Sequence, residues 1–167
     1  YKSMFKEELI ALSDSGARYL VIGAVALALH KYPRYTGDLD ILPDLNADNL
    51  EKIISVLEKI GYQPQLPVQA RELLDPNKRQ MWQRDKHMTV FSFYKEENSL
   101  DVIDLMIYTP IDFEECFKRK KIVILGENEI YVASIEDLLE MKKQSLREKD
   151  IQDIRILEEI RDMDKDE

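Results

Sequence analysis

The sequence predicts an α/β (α+β) fold in which a short mixed β-sheet is packed against helices and followed by a helical C-terminal part. Short apolar, β-favouring runs alternate with segments of helical period along the first part of the chain. From residue 134 onwards the apolar residues keep a helical spacing. A length of 167 residues corresponds to about one domain, so we expect a single domain over residues 1–167, with the sheet in about 19–132 and the helical part in about 134–162.

Each element is predicted from the period of its apolar residues, which is about 3.6 in a helix and about 2 in a strand. Between Tyr62 and Lys86 the pattern weakens because Pro64, Pro67 and Pro76 interrupt it, so we expect a loop there. The predicted helices cover 3–14, 24–31, 46–60, 113–118, 134–146 and 150–162. The predicted strands cover 19–22, 38–42, 88–94, 100–108, 122–125 and 129–132, and the third and fourth of these form a β-hairpin.

The clearest sign of a functional site is a pair of aspartates, Asp38 and Asp40, inside an otherwise apolar run. Strands are depleted in Asp, and the strand period directs both carboxylates to one face while Leu39 and Ile41 point to the other. Two like charges side by side repel unless they share a cation, and hard oxygen ligands at this spacing suit Mg²⁺ or Mn²⁺. The alternative is that the pair only caps a helix or lies in a loop.

A glycine turn precedes the aspartate pair. The β-favouring run 19–22 meets Gly23, and the alanine- and leucine-rich segment 24–31 follows it. Such a strand, turn and helix junction points main-chain N–H groups at whatever occupies the turn, and a glycine lets that ligand approach the backbone closely. Together with Asp38 and Asp40, this turn predicts a site for a metal-bound nucleoside triphosphate, unless Gly23 serves only as a tight turn.

These residues resemble a known signature. The stretch Val21–Ala26, followed by Arg34–Asp40, is similar to the glycine turn and Asp-hydrophobic-Asp motif of the nucleotidyltransferase superfamily with the DNA polymerase β-like fold. The segments 134–142 and 147–153 resemble the tail of small stand-alone members, including the abortive-infection nucleotidyltransferase toxins. The resemblance implies Mg²⁺- or Mn²⁺-dependent transfer of a nucleoside monophosphate from a nucleoside triphosphate (NTP) to an acceptor, with pyrophosphate leaving. The acceptor remains open among RNA, protein and a small molecule.

The resemblance also assigns residues to the nucleotide. Gly23 and Ala24 would hold phosphate by main-chain N–H groups, and Ala24 lacks the hydroxyl that some family members offer at this position. Arg34 and Thr36 would contact the triphosphate or the substrate, or else face solvent or cap the turn. Lys142 would counter phosphate charge, and the alternative is a lysine that extends from a core-facing helix position to water.

Asp38 and Asp40 would bind the metals, and nucleotidyl transfer needs a third carboxylate. The strand 100–108 offers Asp101 and Asp104, which lie on opposite faces because their separation is odd. We predict that Asp104 joins the pair, because its apolar neighbours place it in mid-strand, where an unpaired carboxylate is costly, and because small family members carry their third acid before a similar run. It would complete the second metal site and help to deprotonate the acceptor. Asp101 is the alternative.

Composition limits the partners. The chain has 33 acidic and 24 basic residues and a net charge of −9, which argues against extensive non-specific nucleic-acid binding. No apolar run approaches the roughly 20 residues of a membrane span, and Cys116 is the single cysteine, so neither a membrane partner nor an intramolecular disulfide is expected. A cytoplasmic protein follows as the expectation.

Two other features have structural and functional interpretations. Trp82, together with Arg79 and Arg84, forms a basic aromatic cluster that suits base stacking, but a charged loop is the favoured reading. His30 ends a helix, which favours a structural role over catalysis.

A catalytically silent binding or regulatory module with the same fold, for example one half of a toxin–antitoxin pair with a protein partner, is the alternative to an enzyme.

Overall fold

In the computed structural model of the chain, the structure is described for residues 5–32, 36–109, 111–145 and 148–165. The helices are α1 (Lys6–Asp14), α2 (Gly23–Leu29), α3 (Ala47–Lys59), α4 (Pro76–Lys86), α5 (Phe113–Lys118), α6 (Ile135–Ser145) and α7 (Glu148–Lys165), with a 3₁₀ turn at Ala70–Leu74. The strands are β1 (Tyr19–Ile22), β2 (Asp38–Pro43), β3 (Tyr62–Pro64), β4 (Val90–Lys95), β5 (Asn98–Met106), β6 (Lys121–Leu125) and β7 (Asn128–Val132).

The seven strands form one mixed sheet in the order β3-β4-β5-β2-β1-β7-β6. The β2–β5 and β1–β7 pairs are parallel, whereas β1–β2, β3–β4, β4–β5 and β6–β7 are antiparallel. This arrangement confirms the predicted mixed α/β fold and the predicted hairpin of β4 and β5. It also brings β2 and β5, which are far apart in sequence, to the middle of the sheet.

The two faces of β4 and β5 differ in burial. Phe91, Phe93 and Ile103 on one face are at most 1% exposed, and Trp82 of α4 packs against Phe91 with ring centroids 5.6 Å apart. The alternate residues of the same strands, such as Ser92, remain half-buried. Because strand side chains alternate between faces, one face forms the core and the other stays partly open.

The helix predicted at 46–60 is confirmed with small changes at its ends. The Asn46 side chain accepts a hydrogen bond from the Asn49 main-chain N–H at 2.8 Å, which satisfies one of the free donors at the start of α3. The helix directs an apolar stripe into the core and ends before Gly61, whose φ of +96° suits a helix terminus. The buried residues of this stripe are Leu50, Ile53, Ile54 and Leu57.

The loop predicted between Tyr62 and Lys86 was wrong, because this segment contains β3, the 3₁₀ turn and α4. Pro76 begins α4 rather than breaking it, since the first position of a helix needs no N–H donor. Asp75 caps the same helix by accepting a hydrogen bond from the Asn77 N–H at 2.9 Å. Trp82 is 4% exposed, so it is a core residue and not a stacking platform for a base.

The C-terminal part is helical, as predicted. Ser134 precedes α6 and its hydroxyl accepts a hydrogen bond from the Asp137 N–H at 3.1 Å. The last helix, α7, extends over Glu148–Lys165, packs against α6, and contributes Leu157 and Ile160 to the hydrophobic core. Within the described ranges, no helix combines the length and the apolar character needed to cross a membrane.

Candidate active site

The register of β2 and β5 brings two of the predicted acids together. Asp40 pairs with Asp104, and Asp38 pairs with Val102, so the side chains of all four positions lie on one face of the sheet. Asp101 therefore lies on the other face, where it accepts a hydrogen bond from the Asn98 side chain at 3.2 Å. Of the two candidates for the third acid, Asp104 lies on the face of Asp38 and Asp40, as predicted, and Asp101 does not.

Burial and mutual repulsion change the acidity of these carboxyl groups. Burial, followed by the charges of Asp104 and Asp38, raises the pKa of Asp40 to about 7. Burial also raises the pKa of Asp104. The Ser92 hydroxyl opposes this rise, because it donates a hydrogen bond to Asp104 Oδ1 at 2.5 Å. When protonated, Asp40 donates a hydrogen bond to Asp104. Near neutral pH a proton on Asp40 is therefore stabilised by the neighbouring Asp104 carboxylate.

The glycine turn lies directly beside this acid pair. Ile22 pairs with Asp40 across the antiparallel β1–β2 ladder, so the chain leaves β1 next to the Asp40 side chain. Gly23, the first residue of α2, has a φ of +68°, and a Cβ at this position would lie 2.2 Å from Asp40 Oδ2. Glycine is thus required both by its backbone conformation and by the close approach of the carboxylate. Ala24 follows at the start of α2.

The other predicted site residues have different positions. Thr36 forms a local turn, in which its hydroxyl accepts a hydrogen bond from the Asp38 N–H at 3.1 Å. Lys142 on α6 forms an ion pair with Asp153 on α7 at 3.1 Å, and its charge also lowers the pKa of Asp40. Lys142 therefore pairs with a buried carboxylate and is close enough to Asp40 for its charge to act on that group. Arg34 lies outside the described residues.

Two residues of this region were missed by sequence reasoning. Ser92 faces Asp104 in the β4–β5 hairpin, and a correct register for the hairpin would have found it. Asp153 is 4% exposed and shares the buried side of α7 with Leu157 and Ile160, at helical spacings of four and seven residues. An acidic residue within an apolar helical stripe was the available signal, because such a residue needs a charged or polar partner.

The described acids beside Asp40 supply the type of ligand that a divalent cation needs, but not the close grouping. Among the residues that the structure describes, no three Asp, Glu, His or Cys side chains are grouped closely enough to hold a metal ion as they stand. Asp40 and Asp104 are nevertheless paired side by side across β2 and β5, and Asp38 raises the pKa of Asp40 by its charge. Three carboxylates on one face offer only hard oxygen ligands, so the residues present fit Mg²⁺ or Mn²⁺ in their chemistry.

The open face continues from the acids towards the edge strand β3. Ser92 and Tyr94 of β4 follow Asp104 on this face, and the Gln63 side chain donates a hydrogen bond to the Tyr94 hydroxyl at 2.8 Å. All four residues are half-buried. The acid pair therefore borders a partly open surface with aromatic and hydrogen-bonding groups.

His30 lies away from the acid pair and is 7% exposed. Its Nε2 is 2.9 Å from the Ala133 carbonyl oxygen, and burial lowers the pKa of the imidazole. This environment agrees with the structural role expected for His30.

No protein-family model matches the sequence, and no curated protein sequence matches it significantly. Solved structures do match. Lincosamide antibiotic adenylyltransferase LnuA, solved with lincomycin bound, matches with a TM-score of 0.62 and 17% identity over 96% of this chain and 98% of the other. A putative nucleotidyltransferase from Thermotoga maritima matches with a TM-score of 0.57 and 13% identity over 92% of each chain.

A third structure, an antigenic nucleotidyltransferase-like protein from Paracoccidioides brasiliensis, has a TM-score of 0.52 and 15% identity over 93% of this chain and 76% of the other. None of these three is described as an abortive-infection toxin, so that narrower resemblance stays a prediction. Identities of 13–17% establish the fold and not the reaction. The chain adopts the nucleotidyltransferase fold.

Proposed function

We propose that this protein is a nucleotidyltransferase, dependent on Mg²⁺ or Mn²⁺, that transfers a nucleoside monophosphate from an NTP to a hydroxyl group and releases pyrophosphate. The observation that carries the proposal is the pairing of Asp40 with Asp104 across β2 and β5, with Gly23 directly against Asp40. Two half-buried carboxyl groups side by side are costly for stability. Their retention is explained by a function that needs them.

The acids would divide the work by position. Asp38, Asp40 and Asp104 would hold the cations, which supply charge neutralisation for the reacting phosphates when bound. Asp104 would also accept the proton of the attacking hydroxyl, since burial raises the pKa of its carboxyl and makes it a stronger base. The hydrogen bond from Ser92 would fix the orientation of that carboxyl group.

Main-chain and cationic groups would hold the triphosphate. Gly23 and Ala24 present N–H groups at the start of α2, and in helices such groups have no partner within the helix. Lys142 would offset negative charge near Asp40, consistent with its present effect on the pKa of that group. In a chain of net charge −9 a local cation is needed for an anionic ligand. Thr36, and Arg34 outside the described residues, are proposed as further contacts.

The open face of β4 and β3 would bind the acceptor. Tyr94 and Gln63 lie on this face beside Ser92 and Asp104, so an acceptor placed there would have its hydroxyl near the proposed base. An aromatic ring with hydrogen-bonding groups suits a small hydroxylated molecule. The likeness to an adenylyltransferase solved with lincomycin makes ATP and hydroxylated small molecules the first compounds to test.

The proposal is tested by transfer of label. The protein is incubated with Mg²⁺ and each of the four α-labelled NTPs, together with lincomycin, aminoglycosides, total RNA or cell protein. We expect label in an acceptor with one of these NTPs, its loss in Asp40→Asn, and its retention in Asp101→Asn, because Asp101 lies on the opposite face. Equal transfer by the wild type and Asp40→Asn would refute the assignment.

A catalytically silent, nucleotide-binding regulatory module is the second candidate. Within the described part of the chain, no three Asp, Glu, His or Cys side chains are grouped closely enough to hold a metal ion. This observation favours the module. Such a module would bind an NTP without transferring it. Calorimetric binding of an NTP with no label transfer to any acceptor would therefore favour the module over the enzyme.

A further inference from the structure

In the regions of the chain that the structure describes, the outer edge of the sheet formed by β6 lacks the usual protection against pairing with another strand. The two edge strands are β3 and β6. The β3 strand has only three residues and ends at Pro64, which cannot donate a ladder hydrogen bond. By contrast, β6 has five residues, contains no proline, and keeps a regular antiparallel register with β7. Its outer main-chain groups therefore form a template for another strand.

The side chains of β6 are unusually apolar for an exposed edge. Ile122 is 45% exposed and Ile124 is 62% exposed, and they lie on the same face because they are two residues apart. Val123 and Leu125 point to the other face and pack against the core. Edge strands are commonly protected by charged residues in the strand, by proline or by bulges. In β6 only Lys121 is charged, and it is the first residue of the strand.

The charges that flank β6 are opposite at its two ends. The sequence runs Lys118-Arg119-Lys120-Lys121 into the strand, whereas Glu127 and Glu129 follow it. Arg119 bonds to Asp137 at 2.9 Å, and Lys120 lies 4.1 Å above the Phe117 ring. Lys121 and Glu127 are both exposed.

This charge pattern selects an identical strand in antiparallel orientation as the partner. With a twofold axis at Val123, Ile122 of one copy faces Ile124 of the other, so that each exposed apolar side chain packs against its counterpart. Lys121 then faces Leu125 of the second copy, so the basic start of one β6 lies beside the turn that carries Glu127 at the end of the other. A contact with the same surface on both copies closes into a dimer.

We propose that β6 pairs with β6 of a second copy of the chain, joining two seven-stranded sheets into one continuous sheet. The proposal is independent of the nucleotidyl transfer reaction, because β6 lies at the opposite end of the strand order from β4 and β3, with β2, β1 and β7 between β5 and β6.

Analytical ultracentrifugation of the full chain, from micromolar to several hundred micromolar, tests the dimer. We expect the wild type to reach twice the mass of the chain and Ile124→Lys to remain monomeric, because each lysine would face the apolar Ile122 of the other copy and lie diagonally from the second lysine. The matched control is Leu100→Lys, since Leu100 on β5 is 76% exposed and equally apolar, and β2, β1 and β7 lie between β5 and β6. It should keep the dimer. Circular dichroism and thermal melting check that both variants are folded.

A wild type that stays monomeric throughout this range overturns the proposal. So does a dimer that survives Ile124→Lys, or one that both lysine variants dissociate, since either result places the contact elsewhere. The register is tested by single cysteines, against a background in which Cys116 is buried. Oxidation of a mixture of Ile122→Cys and Ile124→Cys should give several-fold more disulfide-linked dimer than oxidation of either variant alone. Equal yields overturn the twofold axis at Val123.

Discussion

Gly23 and Asp40 are in direct contact: a Cβ added to Gly23 would lie 2.2 Å from Asp40 Oδ2, closer than any real contact of this type. The glycine also has a φ of +68°, a conformation that other L-residues rarely adopt. The turn after β1 and the carboxylate on β2 are therefore parts of one site. Any side chain at position 23 would displace the Asp40 carboxylate from Asp104.

We expect Gly23→Ala to destabilise the fold more than Gly16→Ala. Gly16 has a φ of +72° with nothing within 4 Å of an added Cβ, so its substitution measures the backbone cost alone, about 1 kcal/mol. Gly23→Ala adds the clash with Asp40, for a total of about 2–4 kcal/mol. Urea denaturation measures both values. Equal losses of stability would show that the Asp40 side chain moves away freely.

We expect Asp40→Asn and Asp104→Asn each to abolish calorimetric binding of Mn²⁺ with a non-hydrolysable NTP. Removing one carboxylate takes away both a hard oxygen ligand and the charge that attracts the cation. Asp101→Asn is the matched control on the same strand, because Asp101 faces the other side of the sheet. Loss of binding in Asp101→Asn with retention in the other two would move the proposed site to the opposite face.

The arrangement of the acids was accessible from the sequence because a strand has a strict period of two. Asp38 and Asp40 share a face by that period, and the odd separation of Asp101 and Asp104 leaves one of them for the same face. The parallel register of β2 and β5 was not predictable from local pattern. It results from long-range packing of the sheet, which then places Asp104 beside Asp40.

The features that sequence reasoning missed depend on tertiary contacts. A proline at the start of a helix and one that breaks a helix have the same appearance in a local pattern, so Pro76 was misinterpreted. The ion pair of Lys142 and Asp153 joins α6 to α7, and helical spacing within either helix does not identify the partner on the other. Such pairs are determined by how the helices pack and not by local sequence.

We expect Asp40→Asn to stabilise the metal-free protein at alkaline pH. The pKa of Asp40 is raised from 3.8 to about 7 in the folded state, so its favourable contribution is complete below about pH 4 and is lost as the pH rises through 7. Asparagine stays neutral and avoids this loss. At pH 8 the variant should therefore be more stable by roughly 1–4 kcal/mol, since one pKa unit corresponds to about 1.4 kcal/mol.

The measurement is the free energy of unfolding by urea, in the presence of a chelator, at pH 4, 6 and 8. The stability difference between Asp40→Asn and the wild type should be small at pH 4 and should grow through pH 6. A difference that does not change with pH would mean that Asp40 is ionised throughout this range in the folded protein.

We expect Lys142→Ala to lower both stability and nucleotide affinity. The variant loses the ion pair to Asp153, whose side chain is only 5% exposed, and breaking a pair with a buried carboxylate costs about 2–4 kcal/mol. It also removes positive charge near Asp40, which should weaken NTP binding about tenfold, or about 1.4 kcal/mol. Calorimetry of NTP binding and urea denaturation measure the two effects on the same samples.

The double variant Lys142→Met, Asp153→Leu separates these effects. Apolar side chains of similar size in place of an ion pair are often neutral for stability, so this variant should recover most of the stability lost in Lys142→Ala. It still lacks the cation beside Asp40, and its NTP affinity should stay about tenfold low. Recovery of both stability and affinity would show that Lys142 acts only by holding α6 against α7, because the charge itself would then be dispensable for the nucleotide.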